Sequence, residues 1–227
     1  MWPCPQYRVI GVTKGPSAAQ IEFEPVGRAI AFQPGHFGFL RMKVDGLREP
    51  HPFTIAAAPS PDRRITFVIR ALGDFTTMLV SSVESGMHAD VYAPYGRFGR
   101  SATAGREIWI AGGVGISPFI AWMKDMKAGG FERVSLFYFY TPGRVFPDID
   151  LLRAMAAEKG IEFVSVATGP NTLSFTQRFS EIVRGSNPST LDIAVCGPKG
   201  LLDQVRKLAT SQGLAPACIR HELFAFR

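Results

Sequence analysis

Glu107-Ile108-Trp109-Ile110-Ala111-Gly112-Gly113-Val114-Gly115-Ile116-Ser117-Pro118-Phe119 is the stretch on which the fold turns. Ile108 to Ala111 form an unbroken apolar run, which predicts a strand buried on both faces. Gly112, Gly113 and Gly115 follow it and let a ring or phosphate approach the backbone without a Cβ in the way. Ser117 can cap the helix that Pro118 opens. A helix start offers free N–H groups and the positive end of a dipole. The string lacks the G-x-G-x-x-G spacing of the common dinucleotide fingerprint. The same residues also make an ordinary tight strand-to-helix turn.

Toward the C-terminus, strand and helix patterns alternate. The helix after Ser117 is expected to reach about Lys127 and end at Gly129-Gly130. Strands follow over Val134–Tyr140, Glu162–Ala167, Leu191–Cys196 and Ile219–Phe226. Helices fall between them, over Ile149–Lys159, near Phe175–Val183 and over Gly200–Gln212. This alternation predicts βαβ units and a parallel sheet. Toward the N-terminus, from about Tyr7 to Pro94, short alternating segments are separated by Gly/Pro turns. Gln20-Ile21-Glu22-Phe23-Glu24 and parts of His36–Val44 and Arg64–Arg70 show the pattern, which suggests an antiparallel barrel or sandwich. One helix interrupts it, from Asp74 or Phe75 to about Val83. The small, polar stretch Ser101–Gly105 marks the expected boundary. The fold class is therefore α/β with two domains: an antiparallel β-barrel over residues 1–103, then a parallel-sheet α/β nucleotide-binding domain over 104–227.

Composition bounds the function. Hydrophobic residues make up 46% and charged residues 19%, enough for a sizeable core and against global disorder. The net charge is +6, but no Lys/Arg run exceeds two, so a nucleic-acid stripe is poorly supported. An anionic cofactor, an acidic partner or a membrane surface fits the diffuse charge better. Cys4, Cys196 and Cys218 show no C-x-x-C spacing, which argues against a disulfide framework and a zinc site. No metal is expected. The N-terminus lacks a signal-peptide pattern, and no apolar run reaches the roughly 18 residues of a membrane span.

Three further segments carry chemistry. Val195-Cys196-Gly197-Pro198-Lys199-Gly200 is a second glycine turn at a strand end. In an open parallel sheet ligands sit beyond the carboxyl ends of strands, so two such turns after non-adjacent strands would frame one crevice. Cys196 would sit at its mouth, or serve as a small buried hydrophobe. In the first half, His51-Pro52-Phe53-Thr54 opens a strand. Ile69-Arg70-Ala71-Leu72-Gly73-Asp74-Phe75-Thr76-Thr77 then closes a strand on an arginine and opens a helix on hydroxyls. That is the composition of a pyrophosphate cradle, with charge from Arg70 and N–H and hydroxyl donors from Gly73 to Thr77. It is equally that of a plain helix cap beside a solvated arginine.

Together and in this order, the four segments resemble the ferredoxin–NADP reductase superfamily over nearly the whole chain, about Tyr7 to Arg227. The form His51-Pro52-Phe53-Thr54 is similar to that of the ferric reductase and NADPH oxidase branch, where many other members have arginine at the position of His51. The resemblance implies FAD and a nicotinamide dinucleotide as cofactors. It implies that Phe53 packs on the isoalloxazine, that Thr54 hydrogen-bonds near its N5, and that His51 stands near the pyrophosphate with Arg70. It assigns Gly113, Val114, Gly115, Ile116 and Ser117 to the nicotinamide-side loop and Cys196, Gly197 and Pro198 to a second loop, with Cys196 facing the nicotinamide. His221-Glu222-Leu223-Phe224 is similar to the family's terminal Glu-x-Phe strand, with Phe224 lying on the flavin face. Thr54, Cys196, Glu222 and Phe224 are thereby placed at the reacting rings.

No Asp or Glu ends the second strand of the nucleotide half to hold a free ribose hydroxyl. Arg144, with Arg178 as a second candidate, could pair with a 2′-phosphate, so NADPH is expected over NADH. The implied reaction is hydride transfer from nicotinamide to flavin, then electron release to an acceptor. A membrane heme domain, with this chain at the cytoplasmic face as part of a larger protein, is the expected acceptor. A self-contained soluble NAD(P)H reductase of ferric chelates, ferredoxin or quinone is the alternative. A flavin-binding electron-transfer or regulatory subunit without nicotinamide turnover is a third reading.

Overall fold

A computed structural model describes residues 5–101, 104–169 and 173–223. Its contacts divide the chain into two units, residues 1–100 with 117–127, and residues 101–116 with 128–227.

The first unit holds β1 (Gln6–Lys14), β2 (Ala18–Val26), β3 (Phe37–Met42), β4 (His51–Thr54), β5 (Ile65–Arg70), α1 (Asp74–Ser82), α2 (Ser117–Lys124) and β6 (His88–Tyr95). Six antiparallel strands run in the order β4-β3-β6-β1-β2-β5. The two outer strands meet: Ile55 bridges Phe67, and the Ala56 N–H donates to the Thr66 carbonyl at 2.8 Å. The sheet therefore curls into a barrel. Strand alternation decides which side chains fill it. On β3, Gly38, Leu40 and Met42 are buried while Phe37, Phe39 and Arg41 face outward. Tyr7, Ile21, Phe23, Leu40, Phe67 and Leu79 are fully buried in the core. Each such side chain contributes about 1.5–3 kcal/mol of burial. Gly35 has φ +96°, and a Cβ there would lie 1.9 Å from the Phe98 carbonyl oxygen, so only glycine fits. Trp122 of α2 donates its indole N–H to the Pro34 carbonyl at 3.3 Å.

The second unit holds β7 (Arg106–Gly112), β8 (Val134–Tyr140), α3 (Ile149–Glu158), β9 (Glu162–Ala167), α4 (Leu173–Arg184), β10 (Leu191–Gly197), α5 (Lys199–Ser211) and β11 (Ile219–Leu223). All five strands are parallel, in the order β11-β10-β7-β8-β9. The chain winds from β7 to β8 and β9, then returns to the other side of β7. β7 and β10, the first and fourth strands of this half in sequence, are therefore neighbours in space, which brings the two glycine turns side by side. The order reverses between them, and that switch point is where an open α/β sheet binds ligands. The apolar stripe of α4 (Phe175, Phe179, Ile182 and Val183) is buried at helical spacing. Phe175 meets Phe137 and Phe139 edge-on at 5.1 and 4.9 Å between centroids. Among the described residues, no helix is long and apolar enough to cross a membrane.

Candidate functional site

In the barrel unit, β4 and the β5–α1 turn come together. His51 stacks on Phe75 with ring centroids 3.8 Å apart. His51 and Phe53 share one face of β4, and Phe53 leans on Phe67 of β5 at 6.1 Å. Phe53 is partly buried, packed against the barrel core. Thr54 is 3% exposed and pairs in register with Phe37, on the opposite face from His51. Pro52 shares that face. Arg70 ends β5, half-buried. The side chain of Ile69 is in the barrel core, so only its backbone can serve a cofactor.

The turn after Arg70 is built differently from the expected cradle. Thr76 Oγ1 accepts the N–H groups of Leu72 at 2.9 Å and Gly73 at 3.1 Å. Its hydroxyl donates to the Gly73 carbonyl at 3.2 Å, so the side chain shapes the turn. Thr77 is exposed and its N–H closes the first helical turn onto the Gly73 carbonyl. No side chain caps α1 at Gly73, and a Cβ on Gly73 would meet nothing within 4 Å. Space and a helix N-terminus thus lie beside Arg70, as an anionic group requires. Asp74, in the first turn, puts a like charge there.

Two features in this region carried no sequence signal strong enough to be read. Leu72 is 78% exposed at the head of the turn, an apolar platform in a polar loop. Glu49 brings a carboxylate oxygen to 3.6 Å from His51 Nε2, beyond hydrogen-bond reach, and that buried Nε2 has no hydrogen-bond partner among the described residues. A buried imidazole nitrogen beside an open glycine turn fits a phosphate or hydroxyl acceptor. By this test the residues present fit FAD.

In the second unit, the glycine turns after β7 and β10 interlock. Gly113–Ile116 forms a single 3-10 turn that runs directly into α2 at Ser117, itself buried. A Cβ on Gly115 would lie 2.2 Å from the Cys196 carbonyl oxygen. One on Gly112 would lie 2.8 Å from Pro198 Cδ, and one on Gly197, at φ +156°, 3.1 Å from Gly112. The glycines bring the two strand ends to backbone contact. Val114 is half-exposed and Ile116 fully buried. Pro198, Lys199 and Gly200 are exposed at the start of α5, which has no side-chain cap. By contrast Asp148 caps α3, accepting from the N–H groups of Asp150 and Leu151 at 2.8 and 3.2 Å. The open helix start at α5 with its lysine suits a dinucleotide phosphate.

Cys196 is fully buried, and burial first, then the Glu222 carboxylate, pushes its thiol well above the ordinary range. Such a thiol stays protonated at neutral pH, so it is a neutral wall and not a nucleophile. Glu222 pairs in register with Cys196 on β11. Phe224 lies outside the described residues.

Arg144 sits in the exposed turn after β8, its N–H bonded to the Thr141 carbonyl at 3.0 Å, at the carboxyl end of the sheet. Thr168 beyond β9 donates its N–H to the Tyr140 carbonyl at 2.7 Å, and its hydroxyl to that of Thr141 at 3.2 Å. Arg178 does not join them. Its guanidinium pairs with Glu162 at 2.6 Å and Glu181 at 3.0 Å. Glu162 is the first residue of β9, so Arg178 lies at the amino end of the strands, away from the ligand side. That corrects its candidacy for a 2′-phosphate. Among the described residues no cluster of side chains could hold a metal ion.

A family model for an FAD-binding domain matches residues 17–143, more than half of the 227-residue chain. The chain belongs to this FAD-binding family. Its fold is that of the ferredoxin–NADP reductase superfamily, and FAD is the cofactor that the matched family binds. The chain is 25% identical over 204 residues to the toluate 1,2-dioxygenase electron transfer component of Pseudomonas putida. That match covers 86% of this chain and 60% of the relative. It is 28% identical over 202 residues to the flavohemoprotein of Deinococcus radiodurans, covering 82% of this chain and 50% of that one. The chain thus spans about half to three-fifths of the length of these relatives. In fold it is similar to the Amycolatopsis cytochrome P450 reductase GcoB, with TM-score 0.80 and 19% identity over 98% of this chain and 70% of that one. The FAD/NAD binding domain of a nitric oxide dioxygenase from Vibrio cholerae gives 0.77 at 18% identity, covering 98% of this chain and 99% of that domain. The first of these relatives is named an electron transfer component and the second a flavohemoprotein, and this chain shares with the family an FAD-binding domain. The ferric reductase branch has no particular support among them.

Proposed function

We propose that the chain is the reductase part of an electron-transfer system, binding FAD on the barrel unit, oxidising NADPH and delivering electrons to a separate acceptor protein. The observation that carries this reading is the His51–Phe75 stack, which joins the flavin-type strand to the open helix start beside Arg70. The naming of relatives as electron transfer components supports a protein acceptor over a ferric chelate or quinone.

FAD, when bound, supplies the conversion of a two-electron hydride donor into single-electron output. The protein's part is binding and orientation. Arg70, His51 and the N–H groups opening α1 hold the pyrophosphate. Phe53 gives the flavin ring an aromatic face, and Thr54 offers a hydroxyl to its N5 edge. The turns at Gly112–Gly115 and Cys196–Pro198 hold the nicotinamide, and the protonated Cys196 keeps water from that floor. Arg144 with the Thr141 and Thr168 hydroxyls receives the 2′-phosphate, which selects NADPH.

The test is reconstitution. The purified chain with added FAD should develop a flavin spectrum and bleach faster with NADPH than with NADH. Arg144→Ala should erase the preference. Failure to bind FAD overturns the reading, and equal rates overturn the choice of NADPH. A membrane heme domain as acceptor is a second reading, favoured by the form His51-Pro52-Phe53-Thr54 alone.

A further inference from the structure

Glu49 stands two residues before His51, its side chain 78% exposed. Its place therefore does not come from packing. Pro50 and Pro52 flank His51. Proline fixes its own φ and biases the residue ahead of it toward extended backbone, so the stretch is stiff. It holds the Glu49 carboxylate 3.6 Å from His51 Nε2, where a small turn of the exposed side chain closes a hydrogen bond.

Phe75 lies against one face of the imidazole, and Leu40 of β3, the register partner of His51, is apolar. The charged groups on the surrounding elements are Asp45, Arg48 and Glu49 on the β3–β4 connection, Arg70 at the end of β5 and Asp74 on α1. Arg48 and Asp45 pair with each other at 3.0 Å. Arg70 and Asp74 offset one another, and Glu49 adds a negative charge. A proton on His51 supplies the cation that this balance lacks for a diphosphate.

We infer that Glu49 is a positioning residue for FAD: its carboxylate supports the imidazolium of His51 that meets the cofactor's diphosphate beside Arg70, so that FAD binding takes up a proton from solvent. The inference deepens the proposed function and rests on its FAD site. An imidazolium donates from both ring nitrogens and so serves a carboxylate and a phosphate together. Without that proton the same carboxylate would only repel the diphosphate, so the sign of its effect decides between the two roles.

The experiment titrates the apoprotein with FAD, by flavin fluorescence and by calorimetry in two buffers of unlike ionisation enthalpy. Wild type, Glu49→Gln, His51→Arg and the double variant are compared. Wild-type affinity should strengthen as pH falls from about 8.5 to about 6, the range in which an imidazole gains its proton while the diphosphate stays ionised. Calorimetry should register proton uptake. Glu49→Gln should bind FAD about fivefold more weakly at neutral pH, the size of an exposed charge pair, and its pH profile should move toward acid. His51→Arg should bind with little dependence on pH and no proton uptake, and Glu49→Gln should cause no loss on that background. Unchanged or tighter binding by Glu49→Gln overturns the inference. So does a wild type without proton uptake, or a loss from Glu49→Gln that persists beside His51→Arg. In those cases FAD still binds and its site stands. A wild type that binds no FAD at any pH overturns the FAD site itself, and this inference with it.

Discussion

His51 of β4 lies flat on Phe75 in the first turn of α1, with ring planes 24° apart. The stack links two segments that are each weak as a cofactor motif and that together bound a space beside Arg70. Phe75→Ala should free the imidazole to rotate away and weaken FAD binding by about tenfold, an aromatic contact being worth roughly 0.5–1.5 kcal/mol beyond its buried area. Arg70→Ala should cost more, about 1.5–3 kcal/mol for a charge-assisted contact. His51→Arg should strengthen binding by adding a permanent, forked charge. Flavin-fluorescence titration of the apoprotein reads all three. Equal affinities across the set would show that the pyrophosphate is held elsewhere.

Gly115 and Cys196 leave no room between them. A Cβ on Gly115 meets the Cys196 carbonyl oxygen at 2.2 Å and its carbon at 2.7 Å, both backbone atoms with little freedom to yield. Gly115→Ala should therefore cost about 1–3 kcal/mol of strain. It should also spoil NADPH binding while sparing FAD. Isothermal titration of NADP⁺ against the FAD-loaded variant checks the first loss, and retained flavin absorbance checks the second.

Burial holds the Cys196 thiol protonated well above its ordinary range. Native protein at mildly alkaline pH should thus label at Cys196 with iodoacetamide far more slowly than in denaturant. Cys218 is also raised, chiefly by burial, but it is less deeply buried and should label first. Peptide mapping by mass spectrometry distinguishes the two. Rapid native labelling of Cys196 would mean that the strand end opens readily.

Glu162 anchors the amino ends of the second sheet. Burial alone would raise its carboxyl. Hydrogen bonds from Arg178 and Ser135, with the charges of Arg178 and Arg106, outweigh that and hold it below the ordinary value. A carboxyl lowered by folding contributes stability that is present above its unfolded value and lost as pH falls through the folded one. The pair is partly exposed, so the contribution is about 0.5–1 kcal/mol. Glu162→Gln should be less stable than wild type at neutral pH, and the gap should close as pH drops below about 4. Denaturant unfolding at both pH values measures it.

The second sheet was legible because its strands are apolar runs. Val134–Tyr140 and Glu162–Ala167 can be read to the residue from composition alone. Gly112 to Phe119 announced both a turn and a helix start. What stayed hidden was long-range. That β10 returns beside β7 is a matter of sheet order, to which local pattern is blind. Arg178 looked like a free cation until its partner 16 residues away was known. Thr76 offered a hydroxyl in the right place, but only geometry shows that its own turn uses it. In the barrel, β2, β3 and β5 showed alternation, while the His51–Phe75 stack joins residues from separate elements that no spacing rule connects.

The barrel's closing seam has a consequence of its own. Along β1 and β2 the strands are zipped by a long ladder, but β4 and β5 meet through the single Ile55–Phe67 bridge and the Ala56–Thr66 hydrogen bond. Backbone amides along that join should exchange with solvent sooner than those of the ladder, as sparsely bonded regions do. The strand and helix start proposed to hold FAD flank the same join. Cofactor loading would then work as a clasp on the hoop, with occupancy tightening the one line along which the barrel can spring open.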